Sequence, residues 1–80
     1  MKGHILAIDD SLTIRRLLET AFGRSGYTID TAASGSDGIA LAKRVKPDLV
    51  LLDYILPDMK GLEVSDALAA ADATRAIPIV

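Results

Sequence analysis

The chain has 80 residues and no Cys, and its 9 Lys and Arg against 11 Asp and Glu leave a net charge of −2. This length allows one small domain, and the absence of Cys excludes disulfides, thiolate metal sites and cysteine nucleophiles. The acidic balance argues against direct nucleic-acid binding, the apolar runs are too short to span a membrane, and without a signal peptide the expected location is cytoplasmic.

The first two predicted elements are a buried strand and an amphipathic helix. Residues 5–8 form a continuous apolar run, which is typical of a strand buried on both faces. After Asp9 and Asp10 the period becomes helical, with Asp10 or Ser11 as the N-cap and Gly26 at the end. The apolar stripe of this helix consists of Ile14, Leu17, Leu18, Ala21 and Phe22.

The middle of the chain repeats this alternation. Residues 27–32 alternate between apolar and polar side chains, which favours an edge strand. A second helix is predicted to begin at Ser36 and to end before Pro47. Residues 49–52 form a third strand, which we also expect to be buried on both faces.

The last part of the chain adds a third helix and a fourth strand. After a loop that contains Pro57 and Gly61, the helical period returns in an apolar stripe of Val64, Ala67, Leu68 and Ala71. Residues 76–80 are predicted to open a fourth strand. The resulting βαβαβαβ order predicts an α/β fold, with a parallel sheet joined by right-handed crossovers.

Carboxylate residues follow two of the apolar strands. Asp9 and Asp10 come directly after the first strand, and Asp53 comes directly after the third. In open parallel sheets, ligands bind outside the carboxyl ends of the strands, so these side chains should meet in one cleft. Clustered carboxylates repel one another, and a hard divalent cation such as Mg²⁺ relieves that repulsion. We therefore predict a metal site at Asp9, Asp10 and Asp53.

Each acidic position also has a purely structural interpretation. Asp-Asp-Ser before a helix is a common capping sequence, and Asp after a strand is ordinary turn chemistry. Their combination at two neighbouring strand ends favours a functional site. A dinucleotide fingerprint and a P-loop are both excluded after the first strand, because no glycine follows it directly. His4 precedes that strand, and we expect a solvated terminal residue there.

Three features of the sequence occur together: Asp9-Asp10 after an apolar strand, the segment PDLVLLD at residues 47–53, and the spacing of Asp53, Pro57 and Gly61. On these residues the chain resembles the receiver domain of two-component response regulators. The resemblance spans the whole chain and implies a flavodoxin-like sheet with strand order 2-1-3-4-5, an order taken from the resemblance alone.

The resemblance also implies a role for each motif residue. Asp53 would accept a phosphoryl group from a sensor histidine kinase or a phosphotransfer protein, in a self-phosphorylation rather than a turnover reaction. Asp10 would bind Mg²⁺ directly and Asp9 partly through water, with Asp53 and the backbone carbonyl of Ile55 completing the protein ligands.

Two further residues and one boundary follow from the same resemblance. Pro57 and Gly61 would shape the loop that carries the Ile55 carbonyl. The family has a Ser or Thr at the end of its fourth strand and a Lys at the end of its fifth, and both would lie beyond Val80. Residues 1–80 are therefore expected to be the N-terminal portion of a receiver domain, cut before the fourth strand is complete.

Other functions stay open at this stage. The chain can be a binding or assembly module that keeps the fold without the switch, and an exposed sheet face or fourth-strand edge then predicts a homodimer. A phosphatase of the haloacid dehalogenase type also uses an Asp after a strand. That family needs a second Asp two residues later, where this chain has Ile55.

Overall fold

The computed structural model describes residues 2–80, in which three strands alternate with three helices. The strands are β1 (His4–Ile8), β2 (Thr28–Ala32) and β3 (Leu49–Leu52). The helices are α1 (Leu12–Arg24), α2 (Gly35–Val45) and α3 (Gly61–Ala70). The strands pair in parallel in the order β2-β1-β3, so the predicted flavodoxin-like α/β fold is confirmed.

The register of the sheet places the ends of β1 and β3 side by side. Ile5 pairs with Leu49, and Ile8 pairs with Leu52. On the other side of β1, Ile8 pairs with Ala32 of the edge strand β2. The residues that follow β1 and β3 therefore emerge at the same edge of the sheet.

The predicted fourth strand is present only as a short pairing with β3. Ile79 forms an isolated parallel bridge with Val50. The Val50 amide donates to the Pro78 carbonyl at 3.0 Å, and the Leu52 amide donates to the Val80 carbonyl at 2.9 Å. This segment lies on the side of β3 opposite to β1, which agrees with the order expected from the resemblance.

The core lies between the sheet and the pair α2 and α3. β1 contributes Leu6 and Ile8, and both side chains are fully buried. The helical stripe predicted for α3 supplies Val64 and Leu68, which are also buried. The remaining buried members of this cluster are Ala32, Ala42, Val50 and Leu56. Burial of this kind stabilises the fold by roughly 25 cal/mol per Å² of apolar surface.

The opposite face of the sheet is only partly covered. No residue of α1 is buried, and Leu12 and Leu17 keep 56% and 60% of their surface exposed. Leu49 and Leu51 of β3 are half-buried, so the expectation that β3 is buried on both faces is wrong. Within residues 2–80, α1 is the only helix on this face and it packs mainly against β2, which leaves β3 open there.

Helix ends follow the predicted capping chemistry with small shifts. Ser11 is the N-cap of α1, and its hydroxyl accepts from the Ile14 amide at 3.2 Å. Gly26 follows the helix with φ +90°, a conformation that glycine adopts without strain. α2 begins one residue earlier than predicted, because Ser34 is its N-cap.

Among residues 2–80, none of the helices has the length and apolar character that a membrane-spanning helix requires.

Candidate functional site

Three carboxylates meet at the carboxyl edge of the sheet. Asp9 and Asp10 follow β1 and Asp53 follows β3, and one oxygen of each lies within 4.8 Å of the others. Asp9 and Asp53 are half-buried, whereas Asp10 is exposed. The structure thus brings together the three acidic residues that the sequence singled out.

Backbone hydrogen bonds extend the sheet by one residue and fix the backbone of two of these acidic residues. The Asp53 amide donates to the Ile8 carbonyl at 2.9 Å. The Asp9 amide donates to the Ala32 carbonyl at 3.0 Å. Both acidic residues therefore belong to a rigid part of the backbone, and their spacing is set by the strand register.

The capping interpretation applies to Ser11 and Asp9 but not to Asp10. Ser11 caps α1 through its hydroxyl. The Oδ1 atom of Asp9 accepts from the Ser11 amide at 2.9 Å, which fixes the turn between β1 and α1. Asp10 is not the N-cap, so the helix end does not account for its position in the cluster.

The side chain of Arg15, near the start of α1, also holds the turn between β1 and α1 in place. Its Nη1 atom donates to the backbone carbonyl of Asp9 at 2.8 Å. Sequence reasoning missed this contact. Arg15 stands six residues after Asp9, and only the fold of the turn places the guanidinium over that carbonyl.

A small antiparallel loop carries the Ile55 carbonyl. Ile55 pairs with Lys60 across this loop. The Gly61 amide donates to the Tyr54 carbonyl at 2.6 Å, and the Leu56 amide donates to the Met59 carbonyl at 3.2 Å. These two bonds leave the Ile55 carbonyl outside the pairing, so its oxygen takes no part in closing the loop.

Gly61 lies at the start of α3 rather than in the loop, and it permits a close backbone approach. A Cβ atom at this position would lie 2.7 Å from the Asp53 carbonyl oxygen and 3.0 Å from the Tyr54 Cα. Both neighbours are backbone atoms and cannot rotate away. Pro57 lies in the loop, where its side chain is exposed.

The donor set of this site consists of oxygen atoms. Three carboxylates suit a hard divalent cation, which prefers oxygen to imidazole or thiolate ligands. Without a cation, the negative charges of Asp9, Asp10 and Asp53 repel one another across the cleft. The arrangement can therefore hold a cation and present the Asp53 carboxylate beside it.

His4 lies at the other end of β1 and takes no part in the site. Its Nε2 atom is 2.6 Å from Oδ2 of Asp30 on β2. Its backbone amide donates to Oδ2 of Asp48 at 2.8 Å. The expectation of a solvated terminal residue is wrong, because β1 begins at His4, the residue is half-buried and its ring contacts Asp30 of β2.

Comparison with known proteins assigns the family. Protein PilH of Pseudomonas aeruginosa is 37% identical over 76 residues, which are 95% of this chain and 63% of that protein. The N-terminal domain of a response regulator receiver protein from Methanoculleus marisnigri JR1 has a TM-score of 0.94 at 37% identity, over 99% of this chain and 64% of that one.

A third similar structure is the receiver domain of a sensor histidine kinase from Pseudomonas aeruginosa PAO1. Its TM-score is 0.91 at 25% identity, over 99% of this chain and 65% of that one, and a magnesium ion is coordinated in its active site cleft. The family model of the response regulator receiver domain matches residues 5–80. The chain therefore belongs to this family of two-component signalling proteins, and it spans less than two thirds of the length of these relatives.

Proposed function

We propose that this chain is a phosphoacceptor module of a two-component phosphorelay, with Asp53 as the acceptor and Mg²⁺ as the required cation. The cluster of Asp9, Asp10 and Asp53 at the carboxyl edge of the sheet is the observation that carries this proposal. Membership of the receiver family and the magnesium ion in one related receiver structure support it.

The proposed reaction is a transfer of a phosphoryl group to a carboxylate. An oxygen of Asp53 attacks the phosphorus of a phosphohistidine on a sensor kinase or phosphotransfer protein. An O–P bond forms while the N–P bond breaks, and the electron pair of that bond returns to the imidazole nitrogen. The protein becomes an aspartyl phosphate once per transfer, so it is modified rather than acting as a turnover enzyme.

The residues that would hold the cation are Asp10, Asp9, Asp53 and the carbonyl of Ile55. When bound, Mg²⁺ supplies positive charge that offsets the repulsion between the carboxylates and the incoming phosphoryl oxygens. Asp53 needs a fixed position for attack, and the hydrogen bond that its backbone amide donates to the Ile8 carbonyl helps to supply one. Pro57 would restrict the backbone of the loop around Ile55, and Gly61 permits the close approach of α3 to the backbone of Asp53 and Tyr54.

Phosphorylation by a small-molecule donor tests this proposal. We expect acetyl phosphate with Mg²⁺ to add one phosphoryl group, detected by mass spectrometry of the intact chain. The adduct should be absent in Asp53→Asn and in the wild type treated with EDTA. A folded wild-type chain that binds Mg²⁺ but gains no adduct would contradict the proposal and favour a receiver-fold binding module.

We also propose a homodimer through the face that carries α1. Leu12 and Leu17 are exposed there, and Leu18 lines a depression of about 330 Å³ with Ala7 and Leu51. Association would bury this apolar surface.

Sedimentation tests the homodimer and should show a dimer whose fraction rises with protein concentration. Leu17→Arg should shift the chain to the monomer. Leu62→Arg makes the same change on α3 and should leave it dimeric, and a monomeric wild type would refute the dimer.

The cell compartment and the partners belong to the same proposal. A phosphohistidine donor is a sensor kinase or a phosphotransfer protein, and both present that group in the cytoplasm. The net charge of −2 argues against direct nucleic-acid binding by this chain, so its expected partners are these proteins.

A further inference from the structure

The carboxylate of Asp58 joins the loop after β3 to the N-terminus of α2. Its Oδ1 atom accepts from the Gly35 amide at 2.7 Å, and its Oδ2 atom accepts from the Ser36 amide at 2.9 Å. Gly35 and Ser36 are the first two residues of α2, whose amides have no partner within the helix. Both oxygens of one side chain are therefore used to connect two segments that are far apart in sequence.

Apolar contacts hold the same loop against the body of the protein. Leu56 is buried in the core, and Met59 packs against it. A Cβ atom on Gly35 would lie 2.3 Å from Cγ of Met59, so the loop and the start of α2 are in close contact. The loop is thus anchored on both sides of Asp58.

Hydrogen bonds to the charged form keep Asp58 ionised. The Ser36 and Gly35 amides hold the pKa of the Asp58 carboxyl below its usual value. A negative charge at this place also suits the positive end of the α2 dipole. Asp58 is therefore a carboxylate throughout the neutral range, in the form that accepts both hydrogen bonds.

We propose that Asp58 is a positioning residue for the metal site, which holds the loop so that the Ile55 carbonyl stays beside the carboxylate cluster. This inference rests on the proposed function. Ile55 lies three residues before Asp58 in a loop whose closing bonds do not use the Ile55 carbonyl. Without the two Asp58 hydrogen bonds the loop keeps only its apolar contacts at Leu56 and Met59, so the carbonyl is held less firmly while Asp9, Asp10 and Asp53 keep their places.

The test compares Mg²⁺ affinity in variants of the full chain by isothermal titration calorimetry. We expect Asp58→Ala to weaken binding by about tenfold, the usual size of losing a residue that supports a ligand. Asp58→Asn keeps one accepting oxygen and should fall between Asp58→Ala and the wild type. The matched control is Asp37→Asn, which removes a negative charge from the first turn of the same helix without touching the loop.

A second measurement separates positioning from general stability. In the Asp58 variants, phosphorylation by acetyl phosphate should reach half its maximal rate at a higher Mg²⁺ concentration than in the wild type. At saturating Mg²⁺ the rate should return to the wild-type value. A purely structural role would lower the melting temperature of Asp58→Asn and leave its Mg²⁺ requirement unchanged.

The possible outcomes distinguish the inference from the function on which it rests. If the wild type binds Mg²⁺ and folded Asp58→Ala binds it with the same affinity, the positioning role alone is overturned. If Asp58→Ala does not fold, unchanged affinity in Asp58→Asn overturns it in the same way. A wild type that binds no Mg²⁺ overturns the proposed function and the positioning role together.

Discussion

Replacing Asp10 with alanine is expected to weaken Mg²⁺ binding by about 100-fold, the upper end of the range for residues that only support a metal ligand. Asp10 is an exposed carboxylate within 4.8 Å of the oxygens of Asp9 and Asp53. It is not the cap of α1, so its removal takes away a ligand without removing a helix-end hydrogen bond. Titration calorimetry on the wild type and the variant measures the difference.

Two controls make this result specific to the cluster. Asp66→Ala removes an exposed carboxylate from α3 and should leave the affinity unchanged. In EDTA, Asp10→Asn should melt at or above the wild-type temperature. The substitution removes one of three mutually repelling charges, which should stabilise the metal-free chain by about 1 kcal/mol. Equal Mg²⁺ affinity in the wild type and Asp10→Ala would contradict the site, and a clear loss of stability in EDTA would make Asp10 structural.

Gly61→Ala is expected to destabilise the fold by about 1–3 kcal/mol, the usual cost of forcing an extra carbon into a packed place. Its Cβ would lie 2.7 Å from the Asp53 carbonyl oxygen and 3.1 Å from the Tyr54 carbonyl oxygen. Relief requires movement of the backbone that carries Asp53. We therefore expect weaker Mg²⁺ binding together with the lower stability, measured by urea unfolding in EDTA and by calorimetry.

Gly23 provides the matched control for this substitution. A Cβ on Gly23 would meet no atom within 4 Å, and the residue lies in α1. Gly23→Ala should therefore be neutral or stabilise the chain by up to about 1 kcal/mol, because alanine favours the helix. Equal stability of Gly61→Ala and the wild type would show that the backbone at Asp53 accommodates the carbon.

The sequence predicted the elements because their signals are local. The apolar run before Asp9 predicted a buried strand, and Leu6 and Ile8 are the fully buried side chains of that strand. The helical stripe of α3 placed Val64 and Leu68 in the core for the same reason. Periodicity depends only on backbone geometry, so each pattern predicts its element without knowledge of the rest of the fold.

The same signals could not show which faces are covered. The stripe of α1 marks Leu17 as apolar, yet 60% of its surface is exposed. Thr74, beyond the end of α3, is almost fully buried, and the hydrogen bond that its hydroxyl donates to the Leu68 carbonyl at 2.7 Å offsets the cost of that burial. Burial depends on which element packs against a face, and that is a property of the assembled fold.

In the candidate site, too, some residues could be predicted from the sequence and others only from the fold. The sequence by itself determined that Asp9, Asp10 and Asp53 stand at strand ends, because an apolar run that stops at a carboxylate is visible in one dimension. Only the tertiary structure decided that Asp58 contacts Gly35, which lies 23 residues away, and that Arg15 reaches the Asp9 carbonyl. Such contacts depend on how α2 and the loop after β3 pack together, and no local pattern of residues encodes that distance.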